Sequence, residues 1–168
     1  NLAARMGGPI SSCSILPMHH VSGFMQVVRA LVTGGRVHVT DARTLDTEPE
    51  GLCLSIVPTQ LNRFMEQPEL LKKLKRFRII FLGGAAVSKK LLHQAREQQL
   101  PIAPCYGMTE TAAMVTFLEP SDFLAGINSS GTALPNTKVT IQDQRIHIQT
   151  NSLYRGYWGD KQGEIESI

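Results

Sequence analysis

Phe77-Arg78-Ile79-Ile80-Phe81-Leu82-Gly83-Gly84-Ala85-Ala86-Val87-Ser88 is the stretch that decides the fold. Its apolar run is too continuous for a half-exposed strand and too short for a helix, so it predicts a strand buried on both faces of a sheet. The glycine pair stops it. Ser88 then offers a hydroxyl to cap a helix over Lys89 to Gln99, on which Leu91, Leu92 and Ala95 share a side. Pro101 ends that helix, and Ile102 to Tyr106 forms the next strand. Strand, helix and strand in this order predict a parallel pairing through a crossover helix.

The same alternation extends upstream. Cys13-Ser14-Ile15-Leu16 is a short strand stopped by Pro17, and the segment from Val21 to Val32 is a helix closed by Gly34-Gly35. Val21, Phe24, Met25, Val28, Leu31 and Val32 recur at helical spacing, which predicts that they form its buried face. Arg36 to Thr40 and Leu52 to Val57 are strands joined by a polar connection from Asp41 to Gly51. Thr59 is expected to cap a short helix carrying Leu61, Phe64 and Met65, and a basic helix from Leu70 to Lys75 follows. Beyond residue 125 the pattern changes: Val139-Thr140-Ile141 and Ile146-His147-Ile148 alternate about Gln142-Asp143-Gln144-Arg145, a hairpin pattern. The expected fold is α/β, a mostly parallel sheet with flanking helices over about 14–125, passing into a β-rich C-terminal segment over about 126–168.

Composition excludes several classes. The chain has 168 residues, 42% hydrophobic and 18% charged, a balance that supports a packed core. No apolar run reaches the roughly 18 residues that span a bilayer, and Asn1 to Pro9 carry no apolar signal-peptide block. A net charge of +3 is too mild to indicate nucleic acid. Cys13, Cys53 and Cys105 are an odd, widely spaced set, read as reduced thiols, and a cytoplasmic location is expected. The first residue is not Met and Gln162 to Ile168 read as mid-strand sequence, so an internal piece of a longer protein is expected.

In open α/β sheets ligands gather beyond the carboxyl ends of the strands. Three loops fall there: Pro17 to Gly23, Gly83 to Ala86, and Gly107 to Thr111. Glycines let a flat ring or acyl group approach the main chain. Tyr106 offers an aromatic face, Thr109 a hydroxyl for a phosphate oxygen, and Glu110 a hard oxygen for Mg²⁺. A nucleotide held by its phosphate suits this set. His19 and His20 lack the further ligands of a zinc site, and no cysteine has a basic neighbour that would activate it.

In order, Leu16-Pro17-Met18-His19-His20-Val21-Ser22-Gly23, Gly83-Gly84-Ala85-Ala86 and Tyr106-Gly107-Met108-Thr109-Glu110-Thr111 resemble successive core motifs of the adenylate-forming enzymes, the acyl-CoA synthetase and luciferase superfamily. Arg29 in the helix after the first motif, with Val57-Pro58-Thr59-Gln60-Leu61, resembles the o-succinylbenzoate-CoA ligase branch of menaquinone and phylloquinone synthesis. The resemblance runs from about Ser14 to about Gly163 and implies part of the large N-terminal domain of such an enzyme. It implies that ATP and Mg²⁺ activate a carboxylate as an acyl-adenylate, which the thiol of coenzyme A then attacks. It also implies roles for single residues. Tyr106 stacks on adenine, with Gly83 and Gly107 beside it. Gly84 and Ala85 line the groove between adenine and acyl group, Met108 contacts the acyl group, Thr109 holds the α-phosphate, and Glu110 ligates Mg²⁺. His20 lies beside the reacting carboxylate, and Arg29 binds the carboxylate of o-succinylbenzoate that is not activated. Another aryl- or acyl-CoA synthetase, or a non-catalytic adenylate-binding module, are the alternative readings.

Several expected family elements do not occur in these residues: a Ser/Thr/Gly-rich loop ending in Lys, the Thr-Gly-Asp of the ribose site, the hinge, and a C-terminal domain with a catalytic lysine. Tyr154-Arg155-Gly156-Tyr157-Trp158-Gly159-Asp160 resembles an earlier strand and loop, so Asp160 is read as a turn residue. The 168 residues alone are expected to lack useful ligase activity.

Overall fold

A computed structural model describes residues 2–158. The turn expected at Asp160 and the strand-like sequence from Gln162 to Ile168 lie outside them. The elements in chain order are α1 (Leu2–Met6), β1 (Ser12–Ser14), α2 (Val21–Thr33), β2 (Val37–Val39), β3 (Cys53–Ile56), α3 (Pro58–Met65), α4 (Pro68–Leu74) and β4 (Ile79–Leu82). They continue with α5 (Lys89–Glu97), β5 (Ile102–Met108), a 3₁₀ turn at Thr109–Thr111, β6 (Ala113–Phe117), α6 (Pro120–Leu124), β7 (Thr132–Ala133), β8 (Thr137–Gln142) and β9 (Arg145–Thr150).

Seven strands form one sheet in the order β2-β1-β3-β4-β5-β6-β7, the first five parallel and the last two added antiparallel. The mostly parallel α/β sheet expected from the alternation is therefore present. Sheet register aligns Cys13 with Leu54, Leu54 with Ile80, and Ile80 with Ile102. That row is one face of the sheet. Leu61 and Phe64 from α3, Leu70 and Leu74 from α4, and Leu91 and Ala95 from α5 cover it to make the main core. Ser88 caps α5 as expected, accepting the Leu91 N–H at 3.2 Å. The hairpin is β8 and β9, an antiparallel pair turned by Asp143 and Gln144 with φ of 48° and 63°. Two consecutive left-handed residues match the twist of a two-residue hairpin loop.

Three expectations are corrected. The buried face of α2 is Gly23, Gln26, Arg29 and Ala30, while Phe24, Leu31 and Val32 of the apolar stripe are 55%, 79% and 74% exposed. A close approach sets this rotation: a Cβ on Gly23 would lie 2.2 Å from the Pro17 carbonyl oxygen, so only a glycine can face that loop. Thr59 is not the cap of α3. Pro58 starts the helix, where a missing N–H costs nothing, and Gln60 Oε1 accepts the Val57 N–H at 3.1 Å. Gly107 and Met108, expected in a loop, continue β5, because β6 folds back to pair with them.

The basic stretch near α4 is used internally. Lys73 donates to the Thr44 and Leu45 carbonyls at 3.0 and 2.8 Å, and Arg76 pairs with Glu48 and Glu50. Among the described residues no helix is long and apolar enough to cross a membrane.

Candidate adenylate site

The parallel strands end on one side of the sheet, and a cleft of about 500 Å³ opens there between their carboxyl ends and α2. It is lined by His20 and Arg29 from the α2 side, by Gly83 and Gly84 after β4, and by Gly107, Met108, Thr109 and Glu110 at the end of β5. Residues far apart in the chain thus share one wall. Ala85 is exposed just past the glycine pair, and Tyr106 is half-buried on β5; neither lines the cleft. Cys105 and Gly107, on either side of Tyr106 in β5, do line it.

Local chemistry presents these groups. His20 precedes α2 in an extended conformation without capping the helix through its side chain, which leaves the imidazole for the cleft. Its ring lies 4.4 Å from that of His19. Gly84 has φ +79°, a left-handed conformation open to glycine at little cost, and this turns the chain sharply after β4. The Thr109–Glu110 corner is pinned by Thr111, which is buried: its hydroxyl accepts the Met108 N–H at 3.1 Å and donates to the Ala113 carbonyl at 2.8 Å. Ala112 and Ala113, at φ 52° and 79°, reverse the chain into β6. Thr109 is exposed at this corner and free to donate to an anion.

Arg29 is the least ordinary group here. It is only 8% exposed, lines the cleft, and its guanidinium makes no hydrogen bond or ion pair with any described residue. Burial pushes its pKa below the ordinary arginine range, and the neighbouring Cys105 and Cys53 thiols partly oppose that. An anionic ligand group supplies the compensation a buried cation lacks. Glu110 is held differently. The Tyr157 hydroxyl donates to its carboxylate and lowers its pKa, while the Tyr157 hydroxyl itself is pushed up to about 12. The Glu110 carbonyl also accepts the Tyr154 N–H at 2.8 Å.

Sequence reasoning missed Ser55, Phe81 and Cys105, which also line the cleft. Each sits in an apolar run read as plain strand, and only the polar Ser55 within Leu54-Ser55-Ile56 carried a signal. Cys105 is not a nucleophile in waiting: burial pushes its thiol up to about 12, with Arg29 pulling only partly against it. Among the described residues no three His, Cys, Asp or Glu side chains cluster to hold a metal ion. One carboxylate still fits Mg²⁺, which commonly binds through one or two carboxylates with substrate phosphates supplying further oxygens.

These residues can be set beside known proteins. The AMP-binding enzyme family matches residues 5–158. The 2-succinylbenzoate–CoA ligase of Escherichia coli (strain K12) is 34% identical over 154 residues, covering 91% of this chain and 32% of the relative. E. coli MenE, solved with a bound m-phenylether-linked analogue of OSB-AMS, is 31% identical and aligns with TM-score 0.70 over 90% of this chain and 33% of its own. The N-terminal domain of FACL13 from Mycobacterium tuberculosis is 25% identical, with TM-score 0.74 over 91% of this chain and 43% of that one. The chain spans about a third of the length of the curated relatives it matches. With its family match extending from α1 to the segment that reaches Glu110, this chain belongs to the AMP-binding enzymes.

Proposed function

We propose that the complete protein is an acid–thiol ligase that joins o-succinylbenzoate to coenzyme A through an acyl-adenylate, a step of menaquinone or phylloquinone biosynthesis. Arg29 carries this reading: a buried cation in the cleft, without a partner among the described residues, calls for a substrate with a second carboxylate besides the one activated. The similarity to 2-succinylbenzoate–CoA ligases supports it. One substrate carboxylate attacks the α-phosphorus of ATP and expels pyrophosphate. The coenzyme A thiol then attacks the acyl carbonyl and expels AMP.

This chain's residues hold the reacting groups. The Thr109 hydroxyl donates to an α-phosphate oxygen, where extra charge gathers as the bond forms. Mg²⁺, when bound, neutralises phosphate charge, and Glu110 supplies a carboxylate oxygen for it. Gly83, Gly84 and Gly107 let the nucleotide and acyl group pass close to the main chain, with Met108 as an apolar contact for the acyl part. Ala85 and Tyr106, beside the cleft, receive adenine at its rim. His20 faces the reacting carboxylate. Residues 1–168 form part of the N-terminal AMP-binding domain, an α/β lobe over about 14–125 with a β-rich extension over about 126–168. Three cysteines outside any disulfide support a cytoplasmic location.

A pyrophosphate-release assay on the protein from its complete reading frame, with ATP, Mg²⁺ and o-succinylbenzoate, tests the reading. Turnover is expected there, and none from the 168 residues alone. Arg29→Ala is expected to raise KM for o-succinylbenzoate about a hundredfold while KM for ATP stays within about twofold, because truncating one partner of a desolvated charge pair costs about 2–5 kcal/mol. Faster turnover of an aryl acid with a single carboxylate would overturn the substrate assignment.

A further inference from the structure

Arg29 does not stand alone on its helix face. Gln26, three residues earlier, is 0% exposed, and its Nε2 donates to the Ser22 carbonyl one turn back at 3.1 Å. That bond fixes the orientation of the amide, because only the NH₂ end can face a carbonyl oxygen. Its Oε1 is left buried with no hydrogen-bond partner among the described residues. A buried amide oxygen without a donor is uncommon in a folded protein and calls for an explanation.

The surroundings limit the donors. Ser22 and Arg29 both line the cleft, and Gln26 lies between them on the same side of α2, behind the cleft wall. Ser14 is on β1, against which α2 packs, and its hydroxyl is itself buried without a partner, so it does not satisfy Gln26. Arg29 has five N–H donors and no acceptor among the described residues. Side chains on a helix lean toward its N-terminus, so the Arg29 side chain runs back over the turn that carries Gln26. The backbone beneath is held still: the Thr33 hydroxyl donates to the Arg29 carbonyl at 2.7 Å and accepts the Ile10 N–H at 2.9 Å.

We propose that Gln26 is a positioning residue for Arg29: its unpartnered Oε1 accepts one guanidinium N–H when a ligand carboxylate enters the cleft, which aims the remaining N–H groups at that carboxylate. This rests on the reading of Arg29 as the carboxylate-binding residue. A guanidinium holds a carboxylate best through two parallel bonds, and a planar group pinned at one corner keeps that geometry at lower entropic cost. Gln26 touches no substrate. It acts by narrowing the choice of acid to those with a second carboxylate at the reach of Arg29.

The test uses the protein from its complete reading frame and compares o-succinylbenzoate with benzoate, an aryl acid with one carboxylate. Gln26→Met keeps the length of the side chain and removes the acceptor. It is expected to raise KM for o-succinylbenzoate about tenfold, with kcat and both KM for ATP and KM for benzoate within about twofold. Gln26→Glu keeps an acceptor and a polar side chain, but its charge competes with the ligand for Arg29, so KM for o-succinylbenzoate rises again and KM for benzoate does not. An unchanged KM for o-succinylbenzoate in either variant overturns the proposal, and so does a parallel rise for both acids, which marks a merely structural role. Arg29→Ala separates the two levels. If it leaves the preference for o-succinylbenzoate over benzoate intact, the carboxylate reading itself falls; if it abolishes the preference while both Gln26 variants keep it, only the positioning role falls.

Discussion

The two faces of the central sheet are built from different chemistry. On one, Cys13, Leu54, Ile80 and Ile102 form a row under α3, α4 and α5, and buried leucines and Phe64 fill the space between. On the other, Ser12, Ser14, Cys53 and Ser55 lie toward α2, which answers with Gly23, Gln26, Arg29 and Ala30, and beside them Ile79, Phe81, Ala103 and Phe117 form a smaller apolar cluster with Leu2 of α1. Among the described residues, two of the three buried side-chain atoms without a partner, Ser14 Oγ and Gln26 Oε1, are on that second side. The first face holds the fold together by removing apolar surface from water. The second does so only in part, through its smaller cluster, and keeps beside it polar groups that stabilise little by themselves.

The largest expected effect tests the apolar face. Phe64 is 0% exposed in the main core, so Phe64→Ala removes a full ring and leaves a cavity. Urea unfolding is expected to show a loss of about 3–5 kcal/mol. Arg29→Met is expected to do the reverse of what its burial alone suggests. Arg29 has a folded-state pKa below the ordinary value, so its charged form is disfavoured by folding throughout the neutral range. Removing that charge therefore takes away no stability, and the urea midpoint should stay or rise, as when buried charges are replaced by apolar side chains of similar size. Acid binding should fall in the same variant. A midpoint drop as large as that of Phe64→Ala would break the contrast, because it would mean Arg29 holds the fold.

The same contrast explains what was legible in the sequence. Apolar runs at Leu52 to Val57 and Phe77 to Leu82 located β3 and β4, since buried parallel strands need continuous apolar residues. Gly34 and Ser88 marked helix ends through simple backbone and hydroxyl chemistry. The buried side of α2 was misread. Periodicity finds the apolar stripe of Phe24, Leu31 and Val32, but it does not show which stripe meets the sheet when the opposing strands offer serines and thiols. β6 was missed because its turn uses Ala112 and Ala113 at positive φ, where glycine or asparagine is the usual marker. For the site, the three motifs named the residues that meet in the cleft, apart from Ala85 and Tyr106 at its edge. Ser55, Phe81 and Cys105 were hidden because strand residues facing a ligand resemble strand residues facing a core.

The smallest expected effect lies at the outer end of the ligand face, where Tyr157 meets Glu110. The Tyr157 hydroxyl donates to the Glu110 carboxylate, its ring lies 5.0 Å from that of Tyr154, and all three side chains are open to solvent or half so. Glu110 has a lowered pKa, so the bond's contribution is complete above the ordinary carboxylate range and is lost as pH falls through the lowered value. Tyr157 is pushed up to about 12, so at the alkaline end the bond survives until the phenol ionises there. Tyr157→Phe should return the Glu110 titration, followed by carboxyl NMR shifts, toward its ordinary range, with little change in the urea midpoint because the pair is screened by water. The hydroxyl also draws electron density from the oxygen that Mg²⁺ would use. Its removal should therefore tighten the apparent Mg²⁺ affinity slightly, by about two- to threefold. A Glu110 titration unmoved by Tyr157→Phe would show that the corner pinned by Thr111, and not the phenol, sets the carboxylate's behaviour.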